Sequence, residues 1–215
     1  MASLDVSSLF TNVPLQETID ICVSKLFQDN DTVHGLNKDQ FRKLMSFAVQ
    51  QNHFLFEGKV YDQKDGVAMG SPLGPILANI FMSHLEDKCF DSLTCAKPLV
   101  YHRYVDDTFA VFTSKEHMLH FYEHVNSLHP SIKFTKDEEQ CNSLPFLDVL
   151  VTRQDDGCLV TSVYRKPTFS GLYLKWDSFV PKQYKSGLIY GLISRQYVQV
   201  TKLPTKNFHL SETCL

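Results

Sequence analysis

The stretch YHRYVDDTFAVF, residues 101–112, limits the fold more than any other in this chain. Aromatic and β-branched residues surround Asp106 and Asp107, and such residues suit a pleated, half-buried surface. Two adjacent carboxylates inside a strand repel each other and lose hydration, at several kcal/mol, roughly, unless a cation or hydrogen bonds compensate. The pair is therefore expected at the tip of a hairpin. A plain turn accounts for it, because aspartate tolerates turn geometry. So does a metal site.

Strand and helix patterns alternate on both sides of this hairpin. Residues 2–6 read as the end of a strand. Asn12 followed by Pro14 predicts an N-cap and a helix to about Phe27, with Ile19, Val23 and Leu26 on one face. Asn37 is placed to cap a second helix, in which Phe41, Leu44, Met45 and Ala48 recur at helical spacing. HFLFEGKVYDQ predicts a hairpin turning at Glu57-Gly58. PLGPILANIFMSHLEDKCF predicts a mostly buried helix entered through two prolines. Thr113-x-x-Glu116 matches a capping box and opens a helix to about Leu128. IKFT reads as a short strand. PFLDVLVTR and CLVTSVYRK flank Asp155-Asp156-Gly157 as a further hairpin, and a helical pattern follows Pro181 to about Val198. The expected class is α+β, an antiparallel sheet with helices packed on one face.

Charge is unevenly spread. Residues 1–161 hold 13 basic and 22 acidic residues, whereas 162–206 hold 8 basic residues and the single acid Asp177. An acidic body with a basic C-terminal arm suits cations in one place and phosphates in another; a solvated basic face is the plainer reading. Six scattered cysteines with no CxxC pair read as reduced thiols. No run approaches the roughly 20 apolar residues of a membrane span, and the N-terminal stretch has no secretory pattern. These features predict an intracellular protein of the nucleus or cytoplasm.

Asp5, just before the end of the first strand, would meet Asp106 and Asp107 at one edge if the two strands are neighbours. Oxygen donors with almost no soft ligands nearby favour Mg²⁺ or Mn²⁺ over zinc. In GVAMGSPLGPILANIFM, Gly70, Ser71 and Pro72 make a compact turn into a helix. Small residues there admit a flat ligand, and the helix start offers N–H groups to an anion. His117, His120 and His124 fall near one helix face, but no fourth zinc ligand has fitting spacing, so they read as a solvated face.

In order, these elements resemble motifs A, B and C of reverse transcriptases. DVSSLFTNVPLQETI, AMGSPLGPILANIFM, YHRYVDDTF, LPFLDVLVTR and VYRKPTFSGLYLKWDS are most similar to the Penelope-like retroelements, over nearly the whole chain. The resemblance implies a right-hand polymerase palm over residues 1–164 and, over 165–215, the start of a helical thumb with a C-terminal tail, TKLPTKNFHLSETCL, that has no folded element. It implies an RNA-directed DNA polymerase that takes an RNA template, a DNA primer and dNTPs, with two Mg²⁺ ions that Mn²⁺ can replace. Asp5, Asp106, Asp107 and the Val6 carbonyl would hold the metal. Phe10 would be the steric gate against ribonucleotides. Met69, Gly70, Ser71 and Pro72 would contact the nucleotide and template base; Met69 stands where many relatives carry glutamine. Lys133 or Lys136 would protonate the pyrophosphate. LPFLDVLVTR would be the primer grip, a hairpin holding the growing 3′ end. Tyr104, Phe146, Leu147, Arg165, Lys166, Lys182 and Lys185 would line the primer–template path, with Arg195 in the same basic arm. The family's fingers should precede motif A and a longer thumb should follow. The sequence thus reads as a polymerase core, or as a truncated element that keeps metal and nucleic-acid binding without making DNA.

Overall fold

The computed structural model describes residues 1–50, 53–68, 70–199 and 202–203, with side chains to residue 194. In chain order the elements are β1 (Ala2–Val6), α1 (Leu9–Asn12), α2 (Leu15–Leu26), α3 (Lys38–Gln50), β2 (His53–Phe56), β3 (Lys59–Asp62), α4 (Gly74–Ser92), β4 (Val100–Tyr104), β5 (Asp107–Val111), α5 (Lys115–Ser127), β6 (Phe134–Glu138), β7 (Ser143–Phe146), β8 (Val149–Arg153), β9 (Leu159–Val163), α6 (Lys182–Gln199) and β10 (Lys202–Leu203). The α+β class is as the sequence predicts. One sheet has the order β4-β5-β1-β6, a second the order β10-β9-β8-β7, and β2-β3 stand as a separate pair. The chain divides into two compact units, Leu4–Lys136 and Met1–Ser3 with Asp137–Leu215.

The Leu4–Lys136 unit carries the main core. Leu4 and Val6 of β1 are buried while Asp5 between them is exposed, as a two-residue period requires. Leu15, Ile19, Cys22 and Val23 form the buried stripe of α2, and Leu77, Phe81, Met82 and Leu85 that of α4. Phe121 of α5 meets Phe112 at 5.4 Å between ring centroids. Removing so large a buried ring as Phe81 or Phe121 would cost about 3–5 kcal/mol.

Several local expectations shift. Asn12 does not cap α2: it ends α1, and its Nδ2 donates to the Ser7 carbonyl. The first amide of α2, Leu15 N–H, instead donates to Asp65 Oδ1 at 3.0 Å. Asn37 does cap α3, in a reciprocal pair in which Gln40 N–H donates to Asn37 Oδ1 and Asn37 N–H to Gln40 Oε1. On α3 the inward stripe is Phe41, Met45 and Val49, while Leu44 is exposed, as is Leu26 on α2. The cap of α5 is Ser114, whose side chain accepts from His117 N–H; Thr113 bonds the His117 ring. The β2–β3 hairpin turns at Glu57-Gly58 as predicted, with all eight strand residues exposed.

The other unit is a meander with a small core, in which buried Leu144 of β7 pairs with buried Val151 of β8. PFLDVLVTR is not one strand flanking Asp155-Asp156-Gly157 but itself a hairpin, as the family resemblance implies. It folds back at Leu147-Asp148, so that three strands, β7, β8 and β9, run antiparallel. Lys202 and Leu203 add β10 beside β9, where the sequence predicts no folded element.

Candidate active site

The β4–β5 pairing matches Tyr104 with Asp107, leaving Val105 and Asp106 as a two-residue turn. The aspartate pair therefore sits at the hairpin tip. β5 neighbours β1, and Val6 N–H donates to the Asp106 carbonyl at 3.2 Å. The backbone thus brings the Asp5-Val6 and Asp106-Asp107 segments together at one edge. Asp5 is exposed, Asp106 and Asp107 half-buried. Among the described residues, no three His, Cys, Asp or Glu side chains are gathered into a ready metal cage. The donor chemistry still fits a hard divalent cation: these two segments offer three carboxylates and peptide carbonyls, with no thiol or imidazole.

The turn itself is strained. Val105 has φ 58°, in the left-handed region that a β-branched residue rarely enters. In the β2–β3 turn, Glu57 and Gly58 both have positive φ, a type that glycine suits. At the tip, only the first central residue does, and that position normally carries glycine. Leu147 repeats the arrangement in the β7–β8 turn, with φ 55°.

Phe10 is half-buried and packs on the core. Its carbonyl accepts from Val67 N–H at 2.6 Å. Gly66, at φ 76°, lies so close to α1 that a Cβ there would stand 2.6 Å from the Thr11 carbonyl oxygen. Asp65 Oδ1 accepts from both Gly66 N–H and Leu15 N–H. Residues 65–67 therefore fasten the loop that leads into the Gly70 turn onto the segment that carries Phe10. Sequence reasoning missed this clasp; the Asp65-Gly66 dipeptide, a turn signal, was the available clue.

Gly70 has φ 91° with open space where a Cβ would project. Ser71 and Pro72 follow in the turn before α4, and Met69 lies outside the described residues. The anion-binding capacity expected of the α4 start is reduced. Gly74 N–H is spent on the Ser71 carbonyl, and Pro75 has no N–H.

Of the two lysine candidates, Lys133 is exposed and immediately precedes β6, the neighbour of β1. Ser7 N–H donates to the Lys133 carbonyl, the exposed Thr135 hydroxyl donates to the Asp5 carbonyl, and the Lys133 ammonium donates to the Asn126 carbonyl. Lys136 instead lies over the Tyr122 ring, 5.3 Å from its centroid. Tyr104 is exposed beside the tip.

In the second unit, Phe146 is half-buried and Leu147 exposed at the β7–β8 turn. Arg165 stacks on Phe169 at 4.8 Å, Lys166 accepts from Phe169 N–H through its carbonyl, and Lys182 opens α6 on the surface. Lys185 lies 5.7 Å from the Trp176 ring centroid and donates to the Trp176 carbonyl. Tyr173, Tyr184 and Tyr190 are exposed rather than buried in a helix core. The Arg195 side chain lies outside the described residues.

Comparison with known proteins fits this arrangement. An apo telomerase from Candida tropicalis, truncated from its C-terminal domain, superposes with TM-score 0.54 and 18% identity, over 70% of this chain and 33% of its own. Telomerase from Candida albicans, in complex with a fragment of telomeric RNA, superposes with TM-score 0.59 and 14% identity, over 89% of this chain and 34% of its own. The chain thus spans about a third of each. No curated sequence matches it. The pattern of the family described as reverse transcriptase (RNA-dependent DNA polymerase) matches residues 1–144, two thirds of the chain. By that match and by its fold, this chain belongs to the reverse transcriptase family.

Proposed function

We propose that this chain is the palm and partial thumb of a retrotransposon-type RNA-directed DNA polymerase, most similar to the Penelope-like elements. It adds dNTPs to a primer 3′-hydroxyl on an RNA template. The observation that carries the reading is the bond from Val6 N–H to the Asp106 carbonyl, which puts Asp5 beside the aspartate pair.

Asp5, Asp106, Asp107 and the Val6 carbonyl hold the divalent metal. When bound, two Mg²⁺ ions supply activation of the attacking hydroxyl and neutralisation of charge on the leaving pyrophosphate, and Mn²⁺ can substitute. Phe10, tied to the 65–67 loop, closes the space under the sugar and disfavours a 2′-hydroxyl. Gly70, Ser71 and Pro72 leave room beside the base pair. Lys133 and Lys136 are the two candidates to donate a proton to pyrophosphate. The Phe146-Leu147 turn supports the primer end. Arg165, Lys166, Lys182 and Lys185 attract phosphates, and the exposed aromatics beside them offer stacking surface. Residues 1–164 act as palm and 165–215 as thumb. The Candida albicans telomerase was solved with an RNA, which supports a nucleic-acid template for this fold. Among the described residues, no helix is long and apolar enough to cross a membrane.

The test is primer extension on poly(rA)·oligo(dT) with Mg²⁺ or Mn²⁺, using this chain and Asp106→Asn. Extension by the first alone supports the reading. Equal extension by both removes Asp106 from the metal site. No extension by either, with Mn²⁺ binding lost in Asp106→Asn, leaves a metal site without polymerase activity.

A further inference from the structure

Arg103 stands on β4, paired with Thr108 and two residues before the strained Val105. It is only 10% exposed, and α4 receives most of its guanidinium. Nε donates to Glu86 Oε1 at 2.6 Å and Nη2 to Glu86 Oε2 at 3.0 Å. Nη2 also donates to Ser83 Oγ at 3.3 Å, and Nη1 to Asn79 Oδ1 at 3.1 Å. The last bond runs from Nη1 to the Val105 carbonyl, also 3.1 Å. A guanidinium has five N–H donors, and this geometry spends all five. Asn79, Ser83 and Glu86 recur at the spacing of one helix face, so α4 presents a matched row of acceptors. Tyr101, two strand residues away and so on the same face, donates its hydroxyl to Glu86 Oε1 at 2.8 Å and holds that carboxylate in place. Burial, then the Glu86 charge, pushes the Tyr101 hydroxyl well above its usual range, so it stays a donor.

The turn is thus held at two successive carbonyls. Arg103 holds that of Val105, and Val6 holds that of Asp106. We propose that Arg103 is a positioning residue: it ties the hairpin tip to α4 and sets the direction in which Asp106 leaves the strained turn. This rests on reading Asp106 as a metal ligand.

Stability alone would not select such a device. A buried ion pair is often no more stabilising than apolar residues of similar volume, although breaking one partner is strongly destabilising. That contrast supplies the test. Arg103→Met, Arg103→Met/Glu86→Met and Arg103→Lys are compared with the parent chain by thermal melting, by NMR hydrogen exchange of the Val6 amide and by affinity for Mn²⁺ alone. The double variant is expected to recover most of the melting temperature lost by the single one. Its Val6 amide should still exchange faster, and its Mn²⁺ affinity should stay about tenfold down, the scale typical of groups behind a metal ligand. Arg103→Lys, with at most three donors, should fold and show the same two losses. Parent-like Val6 exchange and Mn²⁺ affinity in the double variant would overturn the proposal. A parent chain that binds no Mn²⁺, with Val6 exchange still raised in the variants, supports the hold on the tip and refutes the metal reading instead.

Discussion

Val105 makes the strain at the tip measurable. At ordinary strand positions, glycine is about 0.5–1 kcal/mol less stable than alanine, because it loses more chain entropy on folding. With φ at 58°, the sign should reverse. Alanine there carries the left-handed penalty of about 1–2 kcal/mol, which glycine escapes. The difference leaves Val105→Gly more stable than Val105→Ala by about 0–1.5 kcal/mol, with the middle of the range near 0.75. Both remove the two γ-methyls and differ only in Cβ, at a residue 40% exposed, so most of the lost packing cancels in the comparison. Urea unfolding at neutral pH reads the difference directly. A melt would show the mid-range value as a shift of about 1.5–3 °C at this chain length. The same reversal is expected at Leu147 and not at Ser162, an exposed position inside β9. If Val105→Gly is the less stable of the pair, the turn is not strained as described.

Gly66→Ala should be the most damaging small substitution near the site, losing upwards of about 2 kcal/mol in urea titrations, because the left-handed φ and the contact with Thr11 add. Phe10→Ala should admit ribonucleotides in primer extension; unchanged sugar discrimination would remove it as the gate. Maleimide at neutral pH should label the exposed Cys95 and Cys141 and spare the buried Cys22 and Cys89, as mass spectrometry of the native chain would show. Burial, then Glu86, pushes the Cys89 thiol up to about 11 from an ordinary 9.0. Its pKa is raised in the folded state, so the full contribution is present below pH 9 and is lost as pH rises through about 11. That loss amounts to roughly 3 kcal/mol, visible in alkaline unfolding and absent in Cys89→Ala.

What could be read in the sequence was what is local. The Glu57-Gly58 turn, the Asn37 cap and the tip at Asp106 each announce themselves within four residues. The β7–β8 hairpin was legible only through the family resemblance, because Leu147-Asp148 has no glycine or asparagine and no local charge conflict marks it. The α5 cap was misread by one residue, since Thr113 and Ser114 are both competent and only the fold decides between them. Asp65 capping a helix that begins 50 residues earlier, and Arg103 reaching three side chains of α4, are tertiary facts with no local trace. The motifs placed the aspartates; the Val6–Asp106 bond that seats them required the sheet.

The order β4-β5-β1-β6 has a consequence for how such a chain is made. β1, which carries Asp5, is flanked by strands from much later in the chain, and β6 begins about 130 residues after β1 ends. At ~5–20 residues per second, a ribosome takes on the order of 10 s to bridge that gap. For most of that interval β1 has neither of its neighbours, since β5 begins about 100 residues after β1 ends and β6 follows later still. The edge that carries Asp5 and the aspartate pair is therefore a late, non-local product of folding, and its assembly is exposed to mispairing and to capture by chaperones. Pulse-labelled ribosome-bound chains should acquire protease resistance in β1 only after residue 138 has cleared the exit tunnel.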